Sequence, residues 1–133
     1  MKRVSSLICF HLILFSLLLP AVSVTATDTP AEVPAPNMIT MVDLGAHKCI
    51  PCKMMAPILK KLTSEYEGRA AVIFIDVWKD PSQGKKFKIS TIPTQIFFDE
   101  QGKEVYRHQG FLSEEDIVSQ FAKMGVKQPA KVK

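Results

Sequence analysis

Apolar positions along this chain fall into two rhythms, short strand-like runs and a helical repeat, and their order sets the expected fold. Residues 38–46, MITMVDLGA, form an apolar run that ends at Gly45 and predict a buried strand. From Cys52 to Glu67 the pattern turns helical, with Met55, Leu59, Leu62 and Tyr66 recurring on one face. Pro51 suits the first turn of that helix, where its missing N–H costs nothing. Pro57 lies inside it and predicts a kink, and Gly68 ends it. Residues 70–78, AAVIFIDVW, predict a second buried strand, and a loop with a short helix starting near Ser82 follows. Residues 94–99, TQIFFD, predict a third strand, EQGK a turn, and the alternating run 104–110, EVYRHQG, an edge or antiparallel partner. The last helix starts at Ser113, an N-cap residue, with Glu114, Glu115 and Asp116 at its positive end. Ile117, Phe121 and Met124 form its buried face and Gly125 its stop.

The element order is therefore β-α-β-(α)-β-β-α. A helix joins the first two long strands, which predicts a parallel pair with a right-handed crossover. A tight turn joins the last two, which predicts an antiparallel pair. The expected fold class is α/β, with a mixed central sheet of about four strands flanked by helices on both faces.

The ends read differently. Lys2 and Arg3 precede an apolar stretch, Leu7 to Leu19, and Val24-Thr25-Ala26 offers small residues for cleavage. Residues 1–26 are expected to be a secretory signal peptide, or a membrane anchor if uncleaved. The apolar core is short against the roughly 20 residues a membrane span needs. Residues 27–37, with three prolines, read as an extended leader, 38–125 as the domain, and 126–133 as a tail. The formal net charge of +4 falls to +2 once Lys2 and Arg3 leave. Its lysines are scattered, with no basic run and interleaved aromatics, which argues against a nucleic-acid partner.

Cys9 sits in the signal, so Cys49 and Cys52 are the cysteines of the mature chain. A disulfide across two intervening residues closes a tiny loop and restrains the unfolded chain little, so a structural staple is a weak reading. At the start of a helix, free N–H groups and partial positive charge favour a thiolate. Cys49, exposed there, is the expected attacking thiol, and Cys52, inside the first turn, the resolving one. His47 and Lys48, just ahead, could lower the Cys49 pKa further. Asp43, between Val42 and Leu44 on the entering strand, is either a buried proton acceptor for Cys52 or a strand-end residue facing water. Pro93, which opens a strand, is either a plain trans proline or a cis proline lying beside the cysteines.

Cys49-Ile50-Pro51-Cys52-Lys53, Ala56-Pro57, Asp43 six residues before the first cysteine, Ile92-Pro93-Thr94, and Gly102 and Gly110 around the last hairpin together resemble the thioredoxin family. The resemblance spans about residues 38–125. It implies a thioredoxin-like fold and thiol–disulfide oxidoreductase activity on protein substrates, with no bound cofactor beyond the redox-active pair. It further implies Cys49 as nucleophile, Cys52 as resolving thiol, Asp43 as buried proton acceptor, Pro93 as the cis-proline, and Ile50, Pro51, Ile92 and Thr94 around the substrate. The chain departs from the family's pattern in two places. Leu44 and Gly45 stand where members carry aromatic residues, and His47-Lys48 stands where a tryptophan usually precedes the first cysteine. A basic, flexible stretch is expected there in place of a flat apolar platform. The leader reads as too short for the family's usual first strand and helix, as in exported bacterial thioredoxin-like proteins. That likeness implies a periplasmic protein served by a membrane thiol–disulfide carrier. Pro51 just before Cys52 and the carboxylate at Asp43 match the family's reducing branch more than its oxidising one, and a monomer is expected.

Other readings weigh against this one. His47, Cys49 and Cys52 make H-x-C-x-x-C, three soft ligands for copper or zinc in a metal carrier. A binding module without chemistry would not need the cysteine pair. His108, Trp78, Asp76 and Lys85, Lys86 and Lys88 read as rim, strand-end or solvated positions.

Overall fold

A computed structural model describes residues 32–129. The expected signal at 1–26, the first part of the leader and residues 130–133 lie outside the described residues. The elements run β1 (Thr40–Gly45), α1 (Ile50–Glu65), β2 (Ala71–Asp76), α2 (Pro81–Lys86), β3 (Thr94–Phe98), β4 (Glu104–Gln109) and α3 (Glu114–Lys123). The four strands form one sheet in the order β2-β1-β3-β4. β1 pairs with β2 in parallel and with β3 antiparallel, and β3 pairs with β4 antiparallel. This is the expected mixed α/β sheet.

Alternation along β1 and β3 sends side chains into two cores. Met41 and Phe97 join Met55, Leu59, Leu62, Tyr66, Ile117 and Phe121 between the sheet and helices α1 and α3. Val42, Leu44, Ile96 and Phe98 pack with Val77 and Phe87 on the opposite face, by α2. β1 and β3 are buried at every position because each has a strand on both sides and a core on both faces. β2 was expected to be buried too. It is only partly so, with Phe74 exposed, because it takes the edge of the sheet. Its apolar run reads the same in either place.

Helix α1 runs through Pro57 without interruption. Ala56 and Pro57 lie on its exposed side, so the carbonyl that the missing N–H leaves unpaired there can turn to water. Asp80 caps α2 through the Ser82 amide, and Ser113 caps α3 by accepting from the Asp116 N–H at 3.1 Å. β2 stops at Asp76, two residues before its apolar run ends, because the Asp76 carboxylate accepts from the N–H groups of Trp78 and Lys79 and turns the chain. Trp78 therefore stands at the rim, 59% exposed.

Candidate active site: a disulfide at a helix N-terminus

β1 delivers the chain to α1 through a four-residue connection, 46–49, whose last residue, just ahead of the helix, is Cys49. Its backbone is extended (φ −78°, ψ 130°), the N-cap conformation, and its amide donates to Ala46 O at 3.1 Å. No side chain caps this helix end and its first turn holds no acidic residue. Its N–H groups and positive dipole end are thus left for whatever charge develops on the Cys49 sulfur. Cys52 sits one turn in, 4% exposed, and the two cysteines are disulfide-bonded with Cα atoms 5.2 Å apart. Ile50, between them, is 76% exposed, and Pro51 is half-buried at the second helical position.

Asp43 is fully buried, so the water-facing alternative for it does not hold. It shares the face of β1 with Met41 and Gly45, the face covered by α1, because alternate strand residues point the same way. Gln95, its antiparallel partner on β3, donates from Nε2 to Asp43 Oδ1 at 2.7 Å. Asp43 Oδ2 has no partner. Burial pushes the Asp43 pKa up to about 6 from its ordinary 3.8, against the opposing pull of the Gln95 hydrogen bond.

Gly45 explains how the site does without an aromatic residue on β1. A Cβ there would meet Phe74 Cε2 at 3.1 Å and the Cys52 Sγ and Cβ at 3.2 and 3.3 Å. The space is already taken by Phe74, reaching over from β2, and by the disulfide itself. His47 packs edge-on against Phe74, ring centroids 5.0 Å apart at 85°. Its Nδ1 pairs with Asp76 Oδ2, which also accepts from the His47 amide at 3.1 Å. His47 and the backbone amides around it hold the Asp76 carboxyl well below the usual carboxylate range. The stretch before Cys49 was expected to be flexible. It is instead fastened at two atoms to the end of β2 and leans on an aromatic ring, so the apolar wall is rebuilt from a neighbouring strand. Lys48 remains exposed. A cavity of about 450 Å³ runs along the flank of α1, between Cys52, Ala56 and Leu59 on one side and Val72 and Phe74 on the other.

The Ile92–Pro93 peptide bond is cis. Pro93 is buried, its carbonyl accepts from the Gly110 N–H at 2.8 Å, and Ile92 is half-buried. Thr94 is fully buried with its hydroxyl donating to Thr91 O at 2.8 Å, so its side chain braces the loop from behind. Among the described residues, no group of three His, Cys, Asp or Glu side chains is placed to hold a metal ion. Of the carrier's three expected ligands, His47 is engaged by Asp76 and the two sulfurs bond each other.

Gln95 and Phe74 are functional positions the sequence does not single out, and Asp76 reads there only as a strand-end carboxylate. Gln95 carries a signal, a lone carboxamide inside an apolar strand run. Phe74 had no local signal.

The family model for thioredoxin matches residues 21–123. Thioredoxin of Staphylococcus aureus (strain Mu50 / ATCC 700699) is 36% identical over 94 residues, 71% of this chain and 89% of that one. Among solved structures, the germline-specific thioredoxin Deadhead of Drosophila melanogaster aligns with TM-score 0.59 and 28% identity, over 66% of this chain and 82% of that one. Thioredoxin NaTrxh from Nicotiana alata gives TM-score 0.59 and 28% identity, over 66% and 74%. With the family model covering most of the chain and Cys49 bonded to Cys52 at the open end of α1, the conclusion follows that this chain belongs to the thioredoxin family and is a thiol–disulfide oxidoreductase.

Proposed function

We propose that the protein works outside the cytoplasm, in a bacterial periplasm, as a monomeric reductant of protein disulfides that a membrane thiol–disulfide carrier recharges, with no cofactor beyond its own cysteine pair. In the reduced form the Cys49 thiolate attacks one sulfur of a substrate disulfide, and the other substrate sulfur leaves as a thiolate. Cys52 then gives its proton to the Asp43 carboxylate and attacks Cys49 Sγ. The second substrate thiolate departs, and Cys49–Cys52 closes. Two electrons pass from the dithiol to the substrate. Ile50 and Pro51, on the exposed side of the pair, and the Ile92-Pro93 edge are the surfaces an extended substrate would meet.

The observation that carries the direction is the buried Asp43 beneath α1. An ionised carboxylate on that face opposes a second negative charge at the cysteines, which disfavours the dithiolate and favours the disulfide. A pair that prefers the disulfide is a reductant. The Nδ1 of His47, the nearest histidine ahead of the pair, is engaged by the Asp76 carboxylate. The export reading rests on the sequence of residues 1–26. It is tested by N-terminal sequencing of the protein recovered from the periplasm, where a start at Thr27 supports cleavage.

The direction is tested by equilibrating the Cys49/Cys52 pair against defined thiol buffers. A potential near the thioredoxin range, about −270 mV, supports the reductant, and one near about −120 mV makes the protein an oxidant. A shift of 30 mV is about 1.4 kcal/mol for a two-electron couple, so modest electrostatic changes at His47 or Asp43 move it measurably. If the pair shows no reversible couple, a metal-carrier role for His47, Cys49 and Cys52 becomes the better reading.

A further inference from the structure

We infer that Gln95 is a positioning residue for the proton acceptor of the dithiol: its buried carboxamide holds the Asp43 carboxyl under α1 and ties it to the strand that begins beside Pro93. This rests on the proposed reaction. The two residues stand opposite each other in the β1–β3 register, both fully buried, with Gln95 Nε2 2.7 Å from Asp43 Oδ1. A glutamine in that place is costly without a task, because the other residue of β3 on that face, Phe97, is apolar and packs in the core. The remaining oxygens of the pair, Asp43 Oδ2 and Gln95 Oε1, are both buried and unpartnered. One carboxyl oxygen is thus held and the other is free to receive a proton. A proton on Oδ2 turns it from acceptor to donor, and the carboxamide already bonded to that carboxyl carries an unpaired acceptor. Gln95 can therefore serve both forms of Asp43, the charged one through Nε2 and the neutral one through Oε1.

The surroundings leave Gln95 in sole control. On β2 the residue in register with Asp43 is Phe74, and the buried residues of α1 are Cys52, Met55, Leu59 and Leu62, none of them charged. On β3 the only polar side chain in register is Gln95 itself. Burial and the Gln95 hydrogen bond account for the displaced pKa of Asp43, with no charged neighbour contributing. Gln95 also lies two residues after Pro93, as the second residue of β3.

The test has three arms. In the wild-type oxidised protein, the Gln95 side-chain amide resonances and the Asp43 carboxyl carbon are followed by NMR against pH; they are expected to titrate with one midpoint. In Gln95→Leu, the Asp43 midpoint is expected to rise by about one unit, because the hydrogen bond lost from the charged carboxylate is stronger than the one lost from the neutral carboxyl. The acidic limb of mixed-disulfide resolution by Cys52 is expected to move with it, while Cys49 attack keeps its own pH profile. In an Asp43→Asn background, Gln95→Leu is expected to leave the resolution profile where Asp43→Asn alone puts it. Gln95 amide resonances that stay flat through the Asp43 titration overturn the inference. So does a Gln95→Leu protein that slows resolution equally at every pH, or equally without Asp43. If Gln95→Leu does not fold, the wild-type titration decides alone. Failure of the proposed reaction has a different signature: the wild-type protein would not exchange disulfides at all, whatever the NMR titration shows.

Discussion

At position 43 a carboxyl group occupies a place from which water is excluded, and the consequence for stability can be worked out with its sign. The folded protein binds the Asp43 proton more tightly than the unfolded chain does, because burial raises the pKa from 3.8 to about 6. Below the lower value both states are protonated and the group contributes nothing. Between the two values the unfolded chain releases its proton while the folded one keeps it, so stability falls as pH rises, and above about 6 the full penalty stands. The displacement corresponds to about 3 kcal/mol. Asp43→Asn is thus expected to stabilise the oxidised protein at pH 7 by about 3 kcal/mol in urea titration and to change little at pH 3.5. The same substitution is expected to slow resolution by Cys52 by about 100-fold, the low end for a positioned proton acceptor, as read by stopped-flow with a model disulfide. Gly45→Ala places a methyl 3.1–3.3 Å from Phe74 and Cys52. It is expected to cost about 1–3 kcal/mol of unfolding free energy, as overpacking of a filled site does.

Elements matter here chiefly through how their ends are finished. Helix α1 begins at an uncapped Cys49, whereas α3 begins at Ser113 with three acidic residues behind it. The first end is left open for a sulfur, and the second is closed for stability. Ser113→Ala is expected to cost about 1 kcal/mol in thermal or urea unfolding, the usual worth of a cap. The end of β2 is finished by Asp76, which turns the chain toward α2 and fastens His47 across the gap to the β1–α1 connection. Because Asp76 titrates lower in the folded protein, its contribution is present above the ordinary carboxylate pKa and is lost as pH falls toward the lowered one. Asp76→Asn is expected to remove that acid-side loss and to raise hydrogen exchange at the His47, Trp78 and Lys79 amides, the groups the carboxylate holds. The helix start at Cys49 and the α3 cap were legible in the sequence, because a proline in a first turn and a serine ahead of three acids are local signals. The fastening by Asp76 was not, because its partner lies 29 residues away.

Over the whole molecule, a single sheet separates two cores, and the site is built at one end of the sheet where β1 meets α1. Phe121 links the cores' larger half to the sheet, its ring 5.6 Å from that of Phe97 and 4.8 Å from that of Tyr66. Phe121→Ala is expected to cost about 3–5 kcal/mol. Against a domain stability of about 5–15 kcal/mol, that loss is large enough to appear as a much lower urea midpoint with an unchanged slope.

The sequence by itself determined the element order, the α/β class, the parallel first pair and antiparallel last pair, the cysteine pair at a strand-to-helix junction, and Asp43 and Pro93 as residues to watch. These are consequences of neighbours a few positions apart: alternation, helical spacing, caps and turns. Tertiary structure alone decided that β2 would be an edge strand, that Phe74 would fill the space Gly45 leaves, that Asp76 would fasten His47, and that Gln95 would hold Asp43. Each of these joins residues far apart in the chain, 52 positions in the last case, and follows from strand order and register rather than from any local pattern. An apolar run reads alike at the centre of a sheet and at its edge, and a buried glutamine is given a purpose only by the carboxyl group that the fold sets beside it.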